Sequence, residues 1–373
     1  VASSKIACDI LDYDETMTSS YTITPARLSK AVETLFRQAG SEVGEASLVA
    51  HQLVGANLAG HDSHGVGMVP RYIEVLAAGD LHLNRRPETV LQAGALTVLD
   101  GGMGLGQVAG FEAMQVAIAQ ARLHGVALTG LRNSHHLGRI GHWAEQACAA
   151  GLVSLHFVNV VSQPMVAPWG GSDARLVTNP VAIGVPRAGQ PPLLLDFATS
   201  KLAVGKVRVA FNSGHSLPPD VLVGADGLMT TDPARLFEPP LGALLPFGDH
   251  KGSGLALMCE ILGAALIGGP VLKAAPGSRR IVNNMLTITI DPAQLGSHAT
   301  LQAEIDELLT WVRASPPARG VDGLQVAGEA ETRARLKRAQ GIEIDATTWQ
   351  QLIASAEQVG LAASDWVALA QPV

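Results

Sequence analysis

Two short stretches of this 373-residue chain carry polar side chains at a density that asks for chemistry. The first, His61-Asp62-Ser63-His64-Gly65-Val66-Gly67, puts two imidazoles, a carboxylate and a hydroxyl at the end of an apolar helical segment. The second, Asn133-Ser134-His135-His136-Leu137-Gly138-Arg139, stands between a strand-like run and an amphipathic helix, a junction where side chains are held over a cleft. The two are read as facing one site. An imidazole gives and takes a proton near neutral pH, and His64 is the candidate, because Ser63 and Asp62 can orient its ring and Gly65 leaves its face open. For His61 a buried, hydrogen-bonded structural role is the stronger expectation.

Other chemistries fit these residues less well. His61 and His64, with His135 or His136, could chelate zinc in a hydrolase or lyase, but no H-E-x-x-H occurs and glycines end the helix after His64. The expectation is therefore no metal. Ser63, His64 and Asp196 suggest a hydrolase only weakly, since no G-x-S-x-G elbow is present and adjacent Ser and His are poorly placed for attack. Asp249-His250-Lys251-Gly252-Ser253-Gly254 precedes an apolar helix, so its amides, the helix N-terminus and Lys251 suggest a phosphate site; a solvated charge at a turn explains Lys251 equally well. Gly104-Leu105-Gly106-Gln107-Val108-Ala109 imitates a dinucleotide fingerprint, yet no Asp or Glu follows from Met114 to Gly141 to hold a ribose. A tight turn that lets helix and strand pack closely is the plainer account.

The elements that must position these residues follow from periodicity. Thr24-Pro25 opens a helix to about Gln38; Ser41 caps a second, with Val49, Leu53 and Ala56 on one face, that runs into His61; a third covers Pro70 to Ala78. Strands are expected at Leu96–Leu99, Val126–Leu131, Val153–Val160, Val181–Val185, Leu193–Phe197 and Met285–Ile290, largely buried. Helices are expected at Gln107–Leu123, Gly138–Ala149, the apolar run from Gly254 and Leu301–Arg313, with a helical C-terminus. Residues 212–246 are Pro/Gly-rich and read as a long ordered excursion over the surface.

Composition bounds the partners. With 47% apolar residues the chain can bury a large core, and a net charge of −7 with 4% aromatics offers neither a phosphate-tracking face nor stacking platforms for nucleic acid. Cys8, Cys148 and Cys259 form no C-x-x-C, which suits a reducing cytoplasm. Gly254–Pro270 is short for a membrane span and carries Glu260, so a buried helix is expected there. Residues 1–20 hold Asp and Glu where a signal peptide would be apolar, and are read as an extension without a catalytic role.

Taken together, His61-Asp62-Ser63-His64-Gly65-Val66, Asn133-Ser134-His135-His136-Leu137-Gly138, Thr178-Asn179-Pro180, Leu195-Asp196-Phe197-Ala198-Thr199-Ser200 and His250-Lys251-Gly252 resemble the malate/L-lactate dehydrogenase family of NAD(P)-dependent 2-hydroxyacid oxidoreductases. The resemblance runs in order from about Thr24 to Gln358. It implies a mixed α/β fold: a non-Rossmann dinucleotide-binding domain with a large, mainly antiparallel sheet, and a helical lobe from both chain ends. The corresponding divisions are 1–22 extension, 23–94 first part of the lobe, 95–298 sheet domain and 299–373 second part of the lobe. A homodimer is implied, with NAD or NADP as cofactor and a small 2-oxo or 2-hydroxy acid as substrate. Carried over by motif, His64 moves the proton with Ser63 beside it. His136, Leu137, Gly138, Arg139 and Ile140 line the cofactor, and Thr178, Asp196, Phe197, Ala198, His250, Lys251, Gly328 and Glu329 complete its cleft.

Two positions depart from that pattern. The family often has an arginine four residues after the catalytic histidine to hold the substrate carboxylate; here it is Met68. An acid that closes a relay in the imine-reducing branch is replaced by Lys206. Substrate anchoring and the relay must therefore be built differently, with Arg71, Arg139 and Lys206 as candidates and Lys206 counted with His64 and Ser63 among the catalytic residues. Met68 suggests a substrate pocket that accepts bulky apolar side chains.

Overall fold

The computed structural model describes residues 20–212, 214–273, 280–296, 298–319 and 323–373. Strand β1 (Ser20–Ile23) leads into α1 (Pro25–Gln38), where Thr24 caps by accepting from Arg27 N and Pro25 occupies the first turn, where its missing N–H costs nothing. Helix α2 (Val43–Leu58) follows. Ser41 does not cap it: its hydroxyl donates instead to Glu45 at 2.8 Å, and Glu42 holds the cap position. Nor does α2 reach His61, because Gly60 turns the chain with a φ of +84°. Helix α3 (Val69–Ala77) completes this segment.

The main sheet uses β2 (Glu88–Ala93), β3 (Leu96–Asp100), β4 (Val126–Ser134), β5 (Val153–Val161), β6 (Pro180–Arg187), β7 (Gln190–Ala198) and, much later, β11 (Val282–Ile290). Its order is β2-β3-β4-β11-β5-β6-β7; β3 and β4 run parallel and the other neighbours antiparallel. Helices α4 (Gly106–His124) and α5 (Gly141–Ala149) pack on this sheet. Helix α5 starts three residues later than its apolar spacing suggests, since Gly138 has a φ of +71°. Strand β2 is exposed along its whole length and carries no buried face that periodicity could reveal.

After β7 come α6 (Val204–Asn212), β8 (Leu222–Val223), β9 (Met229–Thr230) and β10 (Ala243–Leu244). The three strands form a small sheet, and Val166, Val207, Leu217, Leu222, Leu236 and Leu244 bury a core under it. The excursion is thus a packed subunit of structure, not a surface loop. Helix α7 (His250–Gly263) corrects a second expectation: Ala256, Cys259 and Glu260 are buried, but Leu257, Met258 and Ile261 are 49%, 41% and 42% exposed, so the apolar run is only half covered. Among the described residues no helix is long and apolar enough to cross a membrane.

The chain ends with α8 (Pro292–Leu295), α9 (His298–Arg313), α10 (Glu329–Arg338), β12 (Ile342–Asp345), α11 (Ala346–Gln358) and α12 (Ala363–Leu369). Strand β12 pairs with β1, so residues 20–22, counted with the extension, are part of a two-stranded sheet; residues 1–19, Cys8 included, lie outside the described residues. One core joins Leu28, Leu35, Phe36, Leu53 and Tyr72 from the early helices to Trp349, Leu352 and Trp366 from the last two. Each such apolar side chain contributes roughly 1.5–3 kcal/mol by leaving water. Helix α10 differs, with no buried residue at all.

Candidate active site

The turn that carries His64 is held from both sides. Asn57, 2% exposed in the last turn of α2, donates from Nδ2 to Asp62 Oδ1 at 2.7 Å and accepts from Val66 N on Oδ1 at 2.8 Å. A Cβ at residue 65 would stand 2.2 Å from that same oxygen, so glycine there is a packing requirement. Arg338 of α10 grips Asp62 in a fork, Nη1–Oδ1 2.7 Å and Nη2–Oδ2 2.9 Å. Of the two side chains expected to orient His64, Asp62 is therefore committed elsewhere, and Ser63 Oγ alone reaches Nδ1, at 3.0 Å.

The His64 ring stacks on His136, centroids 5.5 Å apart and 19° from parallel. The two expected clusters do meet. Burial, with His61 and Arg139 nearby, lowers the His64 pKa to about 4, so its imidazole is neutral at pH 7. His136 is held well below the usual histidine range for the same reasons, burial first and then the His64 and His135 rings. Its Nδ1 lies 2.7 Å from Tyr72 Oη, which receives a hydrogen bond from Gln107 Nε2 at 2.9 Å. Tyr72 and Gln107 escape a reading of the sequence because both sit in apolar helical runs, where they look like core.

Leu137 and Ile140 belong to the sheet core, and Arg139 is 4% exposed, with Nε and Nη1 sealed from solvent and without hydrogen-bond partners among the described residues, although Nη1 lies 4.0 Å from Asp196 Oδ2. The side chains of these three do not line an open cleft; His136 alone of the run is half-exposed. Arg139 Nη2 instead pairs with Glu145, which also binds Arg335 of α10 at 2.6 Å. Sealed in this way, Arg139 is removed as a substrate anchor. Asp196 accepts from Gly141 N at 2.9 Å, so a carboxylate from β7 serves the first turn of α5, and burial raises its pKa. His61, expected to be structural, is paired with Glu331 at 3.2 Å.

The remaining candidates are spread over several elements. Ala198 is paired with Pro180, next but one to Thr178; Phe197 meets Phe247 edge-on at 5.4 Å, and Phe247 leads to His250 and Lys251. The amides expected to receive an anion there are already used: Lys251 N donates to Gly248 O, Gly252 N to Phe247 O and Ser253 N to Asp249 O, at 3.0–3.2 Å. The exposed Lys251 ammonium is left to attract one, with no ion pair to Lys251 among the described residues. Gly328, φ +92°, lies against Pro192 and Leu194 of β7, where a Cβ would come within 2.9 Å of Pro192 O. Glu329 is taken up by Arg313 Nη2 at 2.6 Å and Val326 N at 2.9 Å. Arg71 is half-exposed with Nη1 on Glu74, and Met68 is half-buried. Lys206 is exposed beside Gly205, whose missing side chain lets α6 abut Ser63.

The glycine loop before α4 is closely packed. A Cβ on Gly106 would lie 2.1 Å from His136 O, and one on Gly104 2.5 Å from Arg85 O, so both glycines allow close backbone packing. Among the described residues no three His, Cys, Asp or Glu side chains are grouped to hold a metal ion.

Residues 23–353 match the malate/L-lactate dehydrogenase family. Hydroxycarboxylate dehydrogenase B of Escherichia coli K12 is 47% identical over 351 residues, covering 92% of this chain and 96% of the relative. A solved E. coli structure assigned to a malate/lactate dehydrogenase superposes with a TM-score of 0.91 at 46% identity, over 94% of this chain and 99% of the other. The sulfolactate dehydrogenase of Methanocaldococcus jannaschii superposes at 0.83 with 34% identity, over 93% and 99%. Fold and relatives define a 2-hydroxyacid dehydrogenase. The chain belongs to the malate/L-lactate dehydrogenase family, and nothing in that kinship supports the zinc-dependent alternative.

Proposed function

We propose that the protein interconverts a 2-oxo carboxylic acid and its 2-hydroxy acid with NAD or NADP, and that His64 is the acid/base. The observation that carries this is the neutral His64 ring, hydrogen-bonded to Ser63 Oγ and stacked on His136 at one cleft. When bound, the nicotinamide supplies or accepts the hydride at C2. With Nδ1–H donating to Ser63 Oγ, His64 keeps the Nε2 lone pair for the substrate hydroxyl proton in oxidation, and returns that proton to the carbonyl oxygen in reduction. The substrate carboxylate has Arg71 and Lys206 as cationic partners, and the half-buried Met68 favours an apolar side chain on the acid. His136 Nε2 has no protein partner among the described residues and is open to a ligand, and the Lys251 ammonium is free to meet a dinucleotide phosphate.

On the same reading residues 95–298 form a non-Rossmann dinucleotide-binding domain, supported by the mostly antiparallel sheet and the close-packed Gly106. Residues 23–94 and 299–373 form the helical lobe, and the enzyme works as a cytoplasmic homodimer. A panel of 2-oxo acids, including malate-type, lactate-type and aryl pyruvates, run with NADH and NADPH and followed at the reduced-nicotinamide absorbance, tests it. No oxidation of either cofactor with any acid would sink the reading.

A further inference from the structure

Tyr72, Gln107 and His136 form a polar chain that begins inside the protein and ends at the cleft. Tyr72 and Gln107 are 0% exposed, so neither touches a ligand; His136 is half-exposed. One hydrogen lies in the 2.7 Å contact between Tyr72 Oη and His136 Nδ1, and the atom that carries it decides what Nε2 of the ring can do. Gln107 sets the direction. Its Nε2–H donates to Tyr72 Oη at 2.9 Å, which leaves the phenol hydrogen for Nδ1. A reversed amide would bury both Gln107 N–H donors away from this acceptor, whereas the orientation present leaves a carbonyl oxygen, Oε1, unpartnered. A bare buried carbonyl is tolerated better than a bare N–H.

From this geometry we infer that Gln107 and Tyr72 are positioning residues that hold the His136 ring in its Nε2–H form beside His64. Burial supports it by keeping the phenol protonated and the imidazole neutral. The stacked rings then divide the work: His64 moves a proton, and His136 is a fixed hydrogen-bond donor to an oxygen of the 2-oxo acid, a neutral donor in a cleft where Met68 supplies no charge. That last step rests on the proposed reaction; the position of the hydrogen does not.

Histidine-selective ¹⁵N NMR of the full chain without added ligand tests the inference, with His136→Gln to assign the signal. The expected spectrum at neutral pH has a protonated Nε2 and an Nδ1 that accepts a hydrogen bond. A protonated Nδ1 overturns the inference whatever the activity. In Tyr72→Phe the Nδ1 signal should move to that of an unbonded nitrogen and kcat should fall about tenfold, with cofactor affinity unchanged. A Tyr72→Phe protein with parent-like Nδ1 signal and kcat also overturns it. If Tyr72→Phe does not fold, the parent spectrum still decides. A parent with the expected spectrum but no turnover of any 2-oxo acid supports the placement of the hydrogen while the reaction reading fails.

Discussion

Asn57 Oδ1 and the Cα of Gly65 are packed so closely that a methyl group at position 65 would stand 2.2 Å from the oxygen. Asn57 also ties both ends of the turn that presents His64, at Asp62 and at Val66 N. Gly65→Ala should therefore displace either Asn57 or the turn. We expect kcat to fall about 10–100-fold, as when a catalytic group is misplaced by about an ångström, with a smaller change in cofactor Kd. Steady-state kinetics beside fluorescence titration of the cofactor checks this; a parent-like kcat would show that the turn has slack that the geometry denies.

His64→Ala should lower kcat about 10²–10⁴-fold with cofactor affinity nearly unchanged. The parent pH profile follows from a ring whose pKa has fallen to about 4. The neutral form, needed as base, is full above that value, so kcat/KM for oxidation should be flat in this group from pH 8 to 5 and drop only on approach to pH 4. For reduction the protonated form is needed, and kcat/KM should fall about tenfold for each pH unit above 4. A reduction profile that breaks near 6.5 would mean the ring keeps an ordinary pKa.

Buried neutral histidines make the fold sensitive to acid. His156 lies between Thr287 Oγ1 at 3.0 Å and Ser154 Oγ at 2.9 Å, and burial lowers its pKa to about 3. Burial also lowers His135 and His142 to about 4. Each binds a proton more readily unfolded than folded, so stability is full above the unfolded value of about 6.5 and is lost as pH falls through the folded one. Urea denaturation should show ΔG falling with pH below 6.5, by up to about 1.4 kcal/mol per unit for each such ring. His156→Gln should have a shallower slope than the parent in that window; an identical slope removes His156 from the account.

Gly106→Ala places a methyl group against a backbone oxygen that cannot move aside. It should lower Tm, with a stability loss of about 1–3 kcal/mol, while the folded fraction binds dinucleotide as before. Lost affinity at unchanged Tm would instead assign this loop to the cofactor.

Lys251→Ala should weaken cofactor binding by about 1–3 kcal/mol, since the ammonium is the part of that loop still free to meet an anion. The difference from the parent should shrink as salt rises. Calorimetric Kd values at low and high salt that agree for parent and variant would exclude phosphate contact.

What could be read in the residues and what could not divides along sequence distance. Thr24-Pro25 announces α1, and the Ile/Val/Leu runs announce β4 to β7, because those signals lie within one turn or one strand. The two histidine loops are legible for the same reason, as histidines crowd between two periodic segments. Arg338 on Asp62 and Glu331 on His61 join positions separated by most of the chain, and no local pattern marks either partner. Helix α10 buries nothing, so its docking leaves no hydrophobic period to find. The α7 amides were unreadable for a different reason: Gly248 and Asp249 have positive φ and bend the loop back on itself, so that the carbonyls of Phe247, Gly248 and Asp249 become their acceptors.

The core shared by the first and last helices bears on how the chain reaches this state. Ser20 pairs with Asp345, and Leu28 and Phe36 share a cluster with Trp349 and Trp366, so closing this core spans almost the whole polypeptide. During synthesis α1 and α2 emerge early with apolar faces whose partners are the last to be made. Loop-closure entropy must be met before those contacts return anything, while β5, β6 and β7 pair with close sequence neighbours. The β5–β6–β7 part of the sheet is therefore placed to form first, while β11, which enters late between β4 and β5, and the core joining the first and last helices close afterwards, with the early helices as the surface most in need of chaperone cover in between.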